Sequence, residues 1–176
     1  MENLSKKKIA VLVANGFEQI EMTSPIDALK KAGAAVDIIS PEKEKVKGWK
    51  HTEWGDEFSV TISLERANPA DYDALLLPGG VMNPDKLRMD TIAIDFVKKI
   101  FHTNKPIAAI CHGPWILINA DIVKGRKVTS WPSVKMDLIN AGAQWVDEEV
   151  VIDGKLITSR KPDDLAAFNN AILQIF

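Results

Sequence analysis

The single cysteine of the chain, Cys111, has the clearest potential for covalent chemistry. It directly follows the apolar run at residues 106–110 and is followed by His112 and the pair Gly113-Pro114. A sharp turn from a strand into a helix here would lift the side chain above the sheet, as in a nucleophile elbow. The N-terminus of the following helix would favour the thiolate, the nucleophilic form of cysteine. The sequence predicts a nucleophile at Cys111, with a small buried hydrophobic residue as the alternative.

Two further side chains are candidates to assist this sulfur. Glu18 follows the first apolar run of the chain, and facing Cys111 it could hydrogen-bond the sulfur or act as a general acid and base. The alternative for Glu18 is a surface carboxylate stabilised by a helix dipole. His112 is adjacent to the cysteine, but neighbouring side chains at a tight turn usually diverge. We therefore expect His112 to need an orienting acid from elsewhere before it can act as a base.

Backbone groups complete the predicted site. The stretch Pro78-Gly79-Gly80 lets the backbone approach a ligand closely, and the N–H groups of Gly80 and His112 are candidates for an oxyanion hole. A plain turn is the alternative for this stretch. Gly79 and His51 are candidates for lining the substrate pocket. The three histidines and one cysteine have no metal-ligand spacing, so no metal site is predicted.

Apolar runs alternate with amphipathic stretches, which indicates βα units and a mostly parallel sheet. Strands are predicted at residues 8–14, 35–40, 73–77, 106–110, 127–130, 150–152 and 156–159. Helices are predicted at residues 17–32, with a kink or restart at Pro25, and at 91–102, 113–119, 134–140 and 163–175. Residues 41–64 suggest a loop with a short antiparallel excursion. Ligands of open parallel sheets bind beyond the carboxyl ends of the strands, which is where Glu18, Gly79 and Cys111 stand.

Composition and charge exclude several classes of protein. The 176 residues are 46% hydrophobic and 26% charged, as expected for one globular domain over residues 1–176, with residues 1–6 as a flexible lead. A net charge of −2 argues against nucleic-acid binding. The lack of an apolar segment of about 20 residues argues against a membrane protein. A single cysteine and a short first apolar run favour a cytoplasmic location. Neither glycine-rich phosphate-binding motif follows a strand, which argues against a nucleotide site.

Several stretches together resemble the ThiJ/PfpI family of intracellular cysteine protease-like and general stress proteins. The resemblance covers nearly the whole chain, roughly residues 7–176. The stretches that carry it are Ala14-Asn15-Gly16-Phe17-Glu18, Asp73-Ala74-Leu75-Leu76-Leu77-Pro78-Gly79-Gly80, Ala109-Ile110-Cys111-His112-Gly113-Pro114, Gly125-Arg126-Lys127-Val128-Thr129-Ser130, Ile139-Asn140-Ala141-Gly142-Ala143 and Thr158-Ser159-Arg160.

The resemblance implies a fold and a set of roles. The fold is the flavodoxin-like three-layer α/β/α sandwich of the glutamine-amidotransferase-like superfamily. Cys111 is the implied nucleophile, Glu18 its hydrogen-bond partner, and the Gly80 and His112 backbones the oxyanion hole. In archaeal protease-like members an acid from a neighbouring subunit orients the histidine, and Asp85 stands at that position here. This chain departs from that branch by having Asp instead of Glu in a longer segment, and by having Trp131 where the branch has a Tyr near the site.

The leading hypothesis is a cofactor-independent cysteine enzyme that acts on reactive carbonyls by glyoxalase or deglycase chemistry. A glutaminase triad is excluded, because no histidine follows His112 in the chain. The alternatives are an oligomer-dependent intracellular cysteine peptidase, and a non-enzymatic redox sensor or chaperone that uses Cys111 oxidation. The expected partners are a small carbonyl compound or a modified protein or peptide, and further copies of the chain. Tryptophans such as Trp49 and Trp54 suit either a subunit interface or the core.

Overall fold

The computed structural model describes residues 3–176. The strands of this part are β1 Lys8–Leu12, β2 Phe17–Glu18, β3 Ala35–Ser40, β4 Lys45–Lys50, β5 Glu53–Ser59, β6 Ile62–Ser63, β7 Ala74–Leu77, β8 Ile107–Ile110, β9 Lys127–Val128, β10 Gln144–Trp145, β11 Val150–Asp153 and β12 Leu156–Ser159. The α-helices are α1 Gln19–Lys31, α2 Met82–Leu87, α3 Thr91–His102, α4 Pro114–Asn119, α5 Lys135–Asn140 and α6 Leu165–Ile175.

Seven strands form the central sheet, in the order β11-β12-β8-β7-β1-β3-β6. Neighbouring strands run parallel except for β11, which pairs with β12 as an antiparallel hairpin. The central strands β7 and β8 are buried at every position, because helices cover both faces of the sheet. Their carboxyl ends, with that of β1, lie at one edge and place the segments that follow them side by side.

Two apolar cores, one on each face of the sheet, account for the three layers. Helices α1 and α6 pack on one face through residues such as Met22 and Phe168. Helices α3 and α4 pack on the other face through residues such as Val97 and Leu117. The expected α/β/α sandwich with a mostly parallel sheet is therefore confirmed.

Four features of the structure refine the predicted elements or add to them. Helix α1 continues through Pro25 as one helix instead of restarting there. The antiparallel excursion predicted within residues 41–64 is present as the hairpin β4–β5 at residues 45–59, but this hairpin joins β2 in a separate three-stranded sheet. Strand β9 pairs with β10 in a small sheet of its own. Helix α2, which the sequence did not predict, follows the Pro78-Gly79-Gly80 turn.

The start of the chain packs against the body of the protein. Leu4 is buried, and its N–H donates a hydrogen bond of 2.8 Å to the carbonyl of Ala32. Leu4 therefore anchors the start of the described part, within the lead that was expected to be flexible, and residues 1 and 2 of that lead lie outside the described part. Across residues 3–176, no helix has the length and apolar character that a membrane crossing requires.

Candidate active site

Cys111 lies at a strained turn between β8 and α4. Its φ is +62°, in the left-handed region that a cysteine rarely adopts and that costs about 1–2 kcal/mol. Three hydrogen bonds hold the turn: Cys111 N–H donates to Ser159 O at 3.0 Å, Trp131 N–H donates to Cys111 O at 2.9 Å, and Gly113 N–H donates to Ile110 O at 2.9 Å. The predicted nucleophile elbow is therefore present in the structure.

The carboxyl group that contacts the Cys111 thiol belongs to Glu21, not to Glu18. Helix α1 begins at Gln19, so Glu21 falls in its first turn on the buried stripe that continues through Met22 and Pro25. This stripe faces the sheet and brings the carboxyl beneath the sulfur. The sequence-based assignment of Glu18 as the hydrogen-bond partner of the sulfur is thus corrected.

Glu18 ends strand β2 and has a different neighbour. Strand β2 pairs with β4, and the Oε2 atom of Glu18 accepts a hydrogen bond of 3.4 Å from the His51 N–H. The Glu18 N–H in turn donates to Gly79 O at 3.2 Å. Glu18 is buried and still lines the cavity that contains Cys111. Its position suits contact with a substrate rather than with the sulfur.

Cys111 and Glu21 form a coupled acidic pair. Burial raises the pKa of Glu21 to about 8, although a hydrogen bond of 2.8 Å from the Gly79 N–H to its Oε2 stabilises the charged form. Its Oε1 is buried and has no hydrogen-bond partner in residues 3–176. Burial also raises the pKa of the Cys111 thiol, and the negative charge of Glu21 raises it further.

The pKa of each group decides its charge at neutral pH. At neutral pH a carboxyl with a pKa of about 8 is mostly protonated, and a protonated Glu21 no longer repels a negative sulfur. The backbone N–H groups of Gly80 and His112 point to the sulfur and lower its pKa. Glu21 is therefore protonated at neutral pH and can act as a proton donor, whereas burial keeps the pKa of the Cys111 thiol above its usual range, contrary to the lowering expected from the helix N-terminus.

The imidazole of His112 turns back toward its neighbour, contrary to the expected divergence. Its Nδ1 lies 3.2 Å from Cys111 Sγ, and its Nε2 lies 3.3 Å from the hydroxyl of Ser133. Burial lowers the pKa of His112, so the ring is neutral at pH 7. The ring also stacks on Trp131, with 6.1 Å between ring centroids and 25° between planes. Within residues 3–176 no hydrogen bond joins His112 to Asp85, which lies exposed on α2.

The glycine turn is packed too tightly for any side chain. A Cβ on Gly79 would lie 2.6 Å from both Cys111 Cβ and Glu21 Oε2. Gly80 has a φ of +75°, and a Cβ there would lie 2.6 Å from the Glu18 nitrogen. Buried Asn83, on α2, holds this turn in place by donating to Pro78 O at 2.8 Å and to Gly79 O at 3.1 Å.

A cavity of about 810 Å³ opens above the sulfur. His51 and Trp131, which the sequence predicted for the pocket, both line it, whereas Gly79 lies beneath it and supports Glu21. Sequence reasoning missed Lys161 on the rim of the cavity and did not place Trp49 in its lining. The geometry suits a sulfur nucleophile with a proton donor below and space for a small organic substrate above. No group of three or more His, Cys, Asp or Glu side chains in residues 3–176 is arranged to hold a metal ion.

One signal in the sequence points to Glu21. The buried positions of α1 recur at residues 21, 22, 25, 26 and 29, so a glutamate shares a helix face with Met22, Ile26 and Leu29. A carboxyl on an apolar stripe is costly to bury and therefore indicates a special role. No comparable signal marks Ser133 or Lys161, because their contacts depend on how distant loops meet.

Comparisons with known proteins agree with this fold. The chain is 48% identical over 173 residues to protein/nucleic acid deglycase 2 of Escherichia coli, covering 96% of this chain and 97% of that protein. It is 45% identical over 169 residues to YraA of Bacillus subtilis, named as a candidate cysteine protease, covering 96% and 98%. The crystal structure of Drosophila melanogaster DJ-1beta matches with a TM-score of 0.86 at 30% identity, covering 96% of this chain and 89% of that one.

These names support an enzyme that works through a cysteine, and the structural match supports the fold at nearly full length. A family model described as the DJ-1/PfpI family matches residues 7–175. The ThiJ/PfpI resemblance drawn from the sequence motifs is confirmed by this match. The chain belongs to the DJ-1/PfpI family.

Proposed function

We propose that the protein is a cofactor-independent cysteine enzyme of stress protection that acts on reactive carbonyls by glyoxalase or deglycase chemistry. The observation that supports this most is the Glu21 carboxyl against the Cys111 sulfur, at the floor of an open cavity. A carbonyl carbon needs a nucleophile, and its oxygen needs a proton. The pair supplies both, and the deglycase named among the relatives is consistent with such chemistry.

The proposed reaction with a 2-oxoaldehyde such as methylglyoxal begins at the sulfur. The Cys111 thiolate adds to the aldehyde carbon, and protonated Glu21 gives its proton to the aldehyde oxygen, which yields a hemithioacetal. Glu21, now a carboxylate, takes the proton from this carbon and delivers it to the adjacent carbonyl carbon. The new hydroxyl proton passes to the neighbouring oxygen, and a thioester remains. Water then hydrolyses the thioester to lactate and restores the cysteine.

The pKa of Glu21 suits this double role. A general acid and base works best when its pKa lies near the working pH, and burial raises the pKa of Glu21 to about 8. The N–H groups of Gly80 and His112 point to the sulfur and are well placed for the oxygen that develops negative charge beside it. These roles need no cofactor.

The test is to supply methylglyoxal without glutathione and to measure lactate. We expect turnover by the wild-type protein and none by Cys111→Ala, because the covalent step is lost. Ser59→Ala, at an exposed position on β5 outside the cavity, is the matched control and should keep the wild-type rate. Absence of lactate, or equal rates for the wild type and Cys111→Ala, would contradict the proposal.

A second candidate function is peptide hydrolysis, favoured by the 3.2 Å distance between His112 Nδ1 and Cys111 Sγ. This distance lies within reach for proton transfer from a nucleophile to its base. The oligomer-dependent form of this function needs Asp85 of a second copy near His112. Its test is cleavage of a fluorogenic peptide by an oligomer, lost in Asp85→Asn. A monomer in solution would contradict that arrangement.

A further inference from the structure

We propose that Ser133 is a positioning residue that accepts a hydrogen bond from His112 Nε2 and so leaves Nδ1 free to take the Cys111 proton. The hydroxyl oxygen of Ser133 lies 3.3 Å from Nε2, on the side of the ring away from the sulfur. The inference rests on the proposed role of Cys111 as the nucleophile. In this arrangement a neutral hydroxyl of the same chain orients His112, in place of an acid from another subunit.

The tautomer of His112 decides whether it can act as a base. A neutral imidazole has one N–H and one lone pair, so that only one of its nitrogens can accept a proton. If Nε2 carries the hydrogen and donates to Ser133, the lone pair stays on Nδ1, 3.2 Å from Sγ. Transfer of the thiol proton to Nδ1 then gives a thiolate and an imidazolium. Both nitrogens of the imidazolium are donors, so Ser133 accepts in both states without moving.

Packing fixes the plane of the ring that this hydrogen bond orients. Trp115 contacts His112 edge-on, with ring centroids 5.0 Å apart, and Trp131 stacks on it at 6.1 Å. Asp137 accepts a hydrogen bond of 2.7 Å from the indole nitrogen of Trp115, which holds that ring in turn. Rotation of the imidazole is therefore restricted, and in this proposal the polar contact at Nε2 selects the tautomer of the neutral ring.

Other charged groups near His112 are too indirect to select the tautomer. They are Glu21 beyond the sulfur, Asp137 and Arg88 against Trp115, and Glu18, Lys161 and Asp163 in the cavity lining. The Nε2 atom itself faces the hydroxyl of Ser133. The exposed position of Ser133 lets its own hydroxyl hydrogen point to water, so that the oxygen remains an acceptor.

The experiment measures the rate of Cys111 alkylation by iodoacetamide against pH. The reaction forms an S–C bond and releases iodide, so it reports the reactive thiolate without any carbonyl substrate. We expect Ser133→Ala to slow alkylation at neutral pH about 10-fold, as for loss of one hydrogen bond to a charged group. The pH below which the alkylation rate falls, the acid limb of the profile, should rise by about one pH unit. Ser133→Thr, which keeps the hydroxyl, should restore the wild-type profile, and Ser59→Ala should not change it.

A second background shows whether Ser133 acts through His112. In His112→Ala, the further change Ser133→Ala should have no effect, since the group that it orients is gone. A wild-type profile for Ser133→Ala, or an equal shift in both backgrounds, would overturn the proposal. A shift of the acid limb to lower pH would overturn it too, because Ser133 would then be a donor to Nε2. If the variants show this alkylation pattern but the wild-type protein has no carbonyl turnover, the result would count only against the proposed function.

Discussion

The floor and the mouth of the cavity differ in how firmly their residues are held. The floor consists of Cys111, Glu21 and Gly79, where backbone geometry and close packing leave no freedom. The mouth is formed by side chains on loops and on the β4–β5 hairpin, among them His51, Trp131 and Lys161. Trp131 is 38% exposed, and Lys161 makes a surface ion pair of 3.1 Å with Asp163.

We expect the floor to determine how reactive Cys111 is and the mouth to determine which substrates reach it. The strain at Cys111 and the buried carboxyl of Glu21 are costs that the rest of the fold must offset to hold these two groups together. The mouth has one comparably strained residue, His51 with a φ of +55°, but its side chains are at least partly exposed, so changes there should alter what enters more than what reacts. The floor should be intolerant of substitution and the mouth permissive, which the following predictions test.

The largest effect is expected for Glu21→Gln. Glutamine still accepts the Gly79 N–H bond but cannot take up and release a proton, so carbonyl turnover should fall about 1000-fold. Alkylation of Cys111 at pH 7 should not slow, because glutamine carries no negative charge to raise the thiol pKa. Lactate formation and iodoacetamide kinetics on the same preparation separate these effects. Turnover within about tenfold of wild type would remove Glu21 from the mechanism.

The elbow could be predicted from the sequence because all its signals are local. The apolar run before Cys111 and the pair Gly113-Pro114 after it define the turn without help from the rest of the chain. The carboxyl partner could not be predicted in the same way. Glu18 and Glu21 are three residues apart, and the choice between them depends on where α1 begins and on the pairing of β2 with β4.

Helix α2 and the direction of His112 were missed for similar reasons. The six residues of α2 have little helical signal of their own, and buried Asn83 holds them through hydrogen bonds to Ala14, Pro78 and Gly79. His112 turns toward the sulfur between two tryptophan rings, one of which is distant in sequence. Contacts of this kind arise only when the segments are assembled.

The next largest effect is expected for Gly79→Ala. The added methyl group would meet Cys111 Cβ and Glu21 Oε2 at 2.6 Å and the Ile110 carbonyl at 2.7 Å, so the unfolding free energy should fall by about 3 kcal/mol. Gly125→Ala is the matched control, since its new Cβ meets nothing within 4 Å. Its positive φ should cost about 1 kcal/mol. Denaturant titration of both variants measures the difference, and equal losses would show that the floor has room to relax.

Stability should also depend on pH through Glu21. The folded protein keeps the Glu21 proton up to a pKa of about 8, whereas the unfolded chain releases it near 4.5. The native state therefore binds more protons in this window, and its extra stability is complete below pH 4.5 and lost as pH rises through 8. The decrease is at most about 1.4 kcal/mol per pH unit. Glu21→Gln should lack this slope, and identical pH dependence of both proteins would contradict the assignment.

The smallest effect is expected for Glu18→Gln, which tests whether the second glutamate belongs to the floor or to the mouth. Glutamine keeps an oxygen that can accept the His51 N–H bond, and Glu18 does not contact the sulfur, so carbonyl turnover should stay within about threefold of wild type. The alkylation profile of Cys111 should be unchanged, and any effect should appear in KM through contact with substrate. A loss of turnover as large as that of Glu21→Gln would restore Glu18 as the catalytic carboxylate. Equal effects of the two substitutions would also show that the floor includes Glu18, a residue that does not contact Cys111.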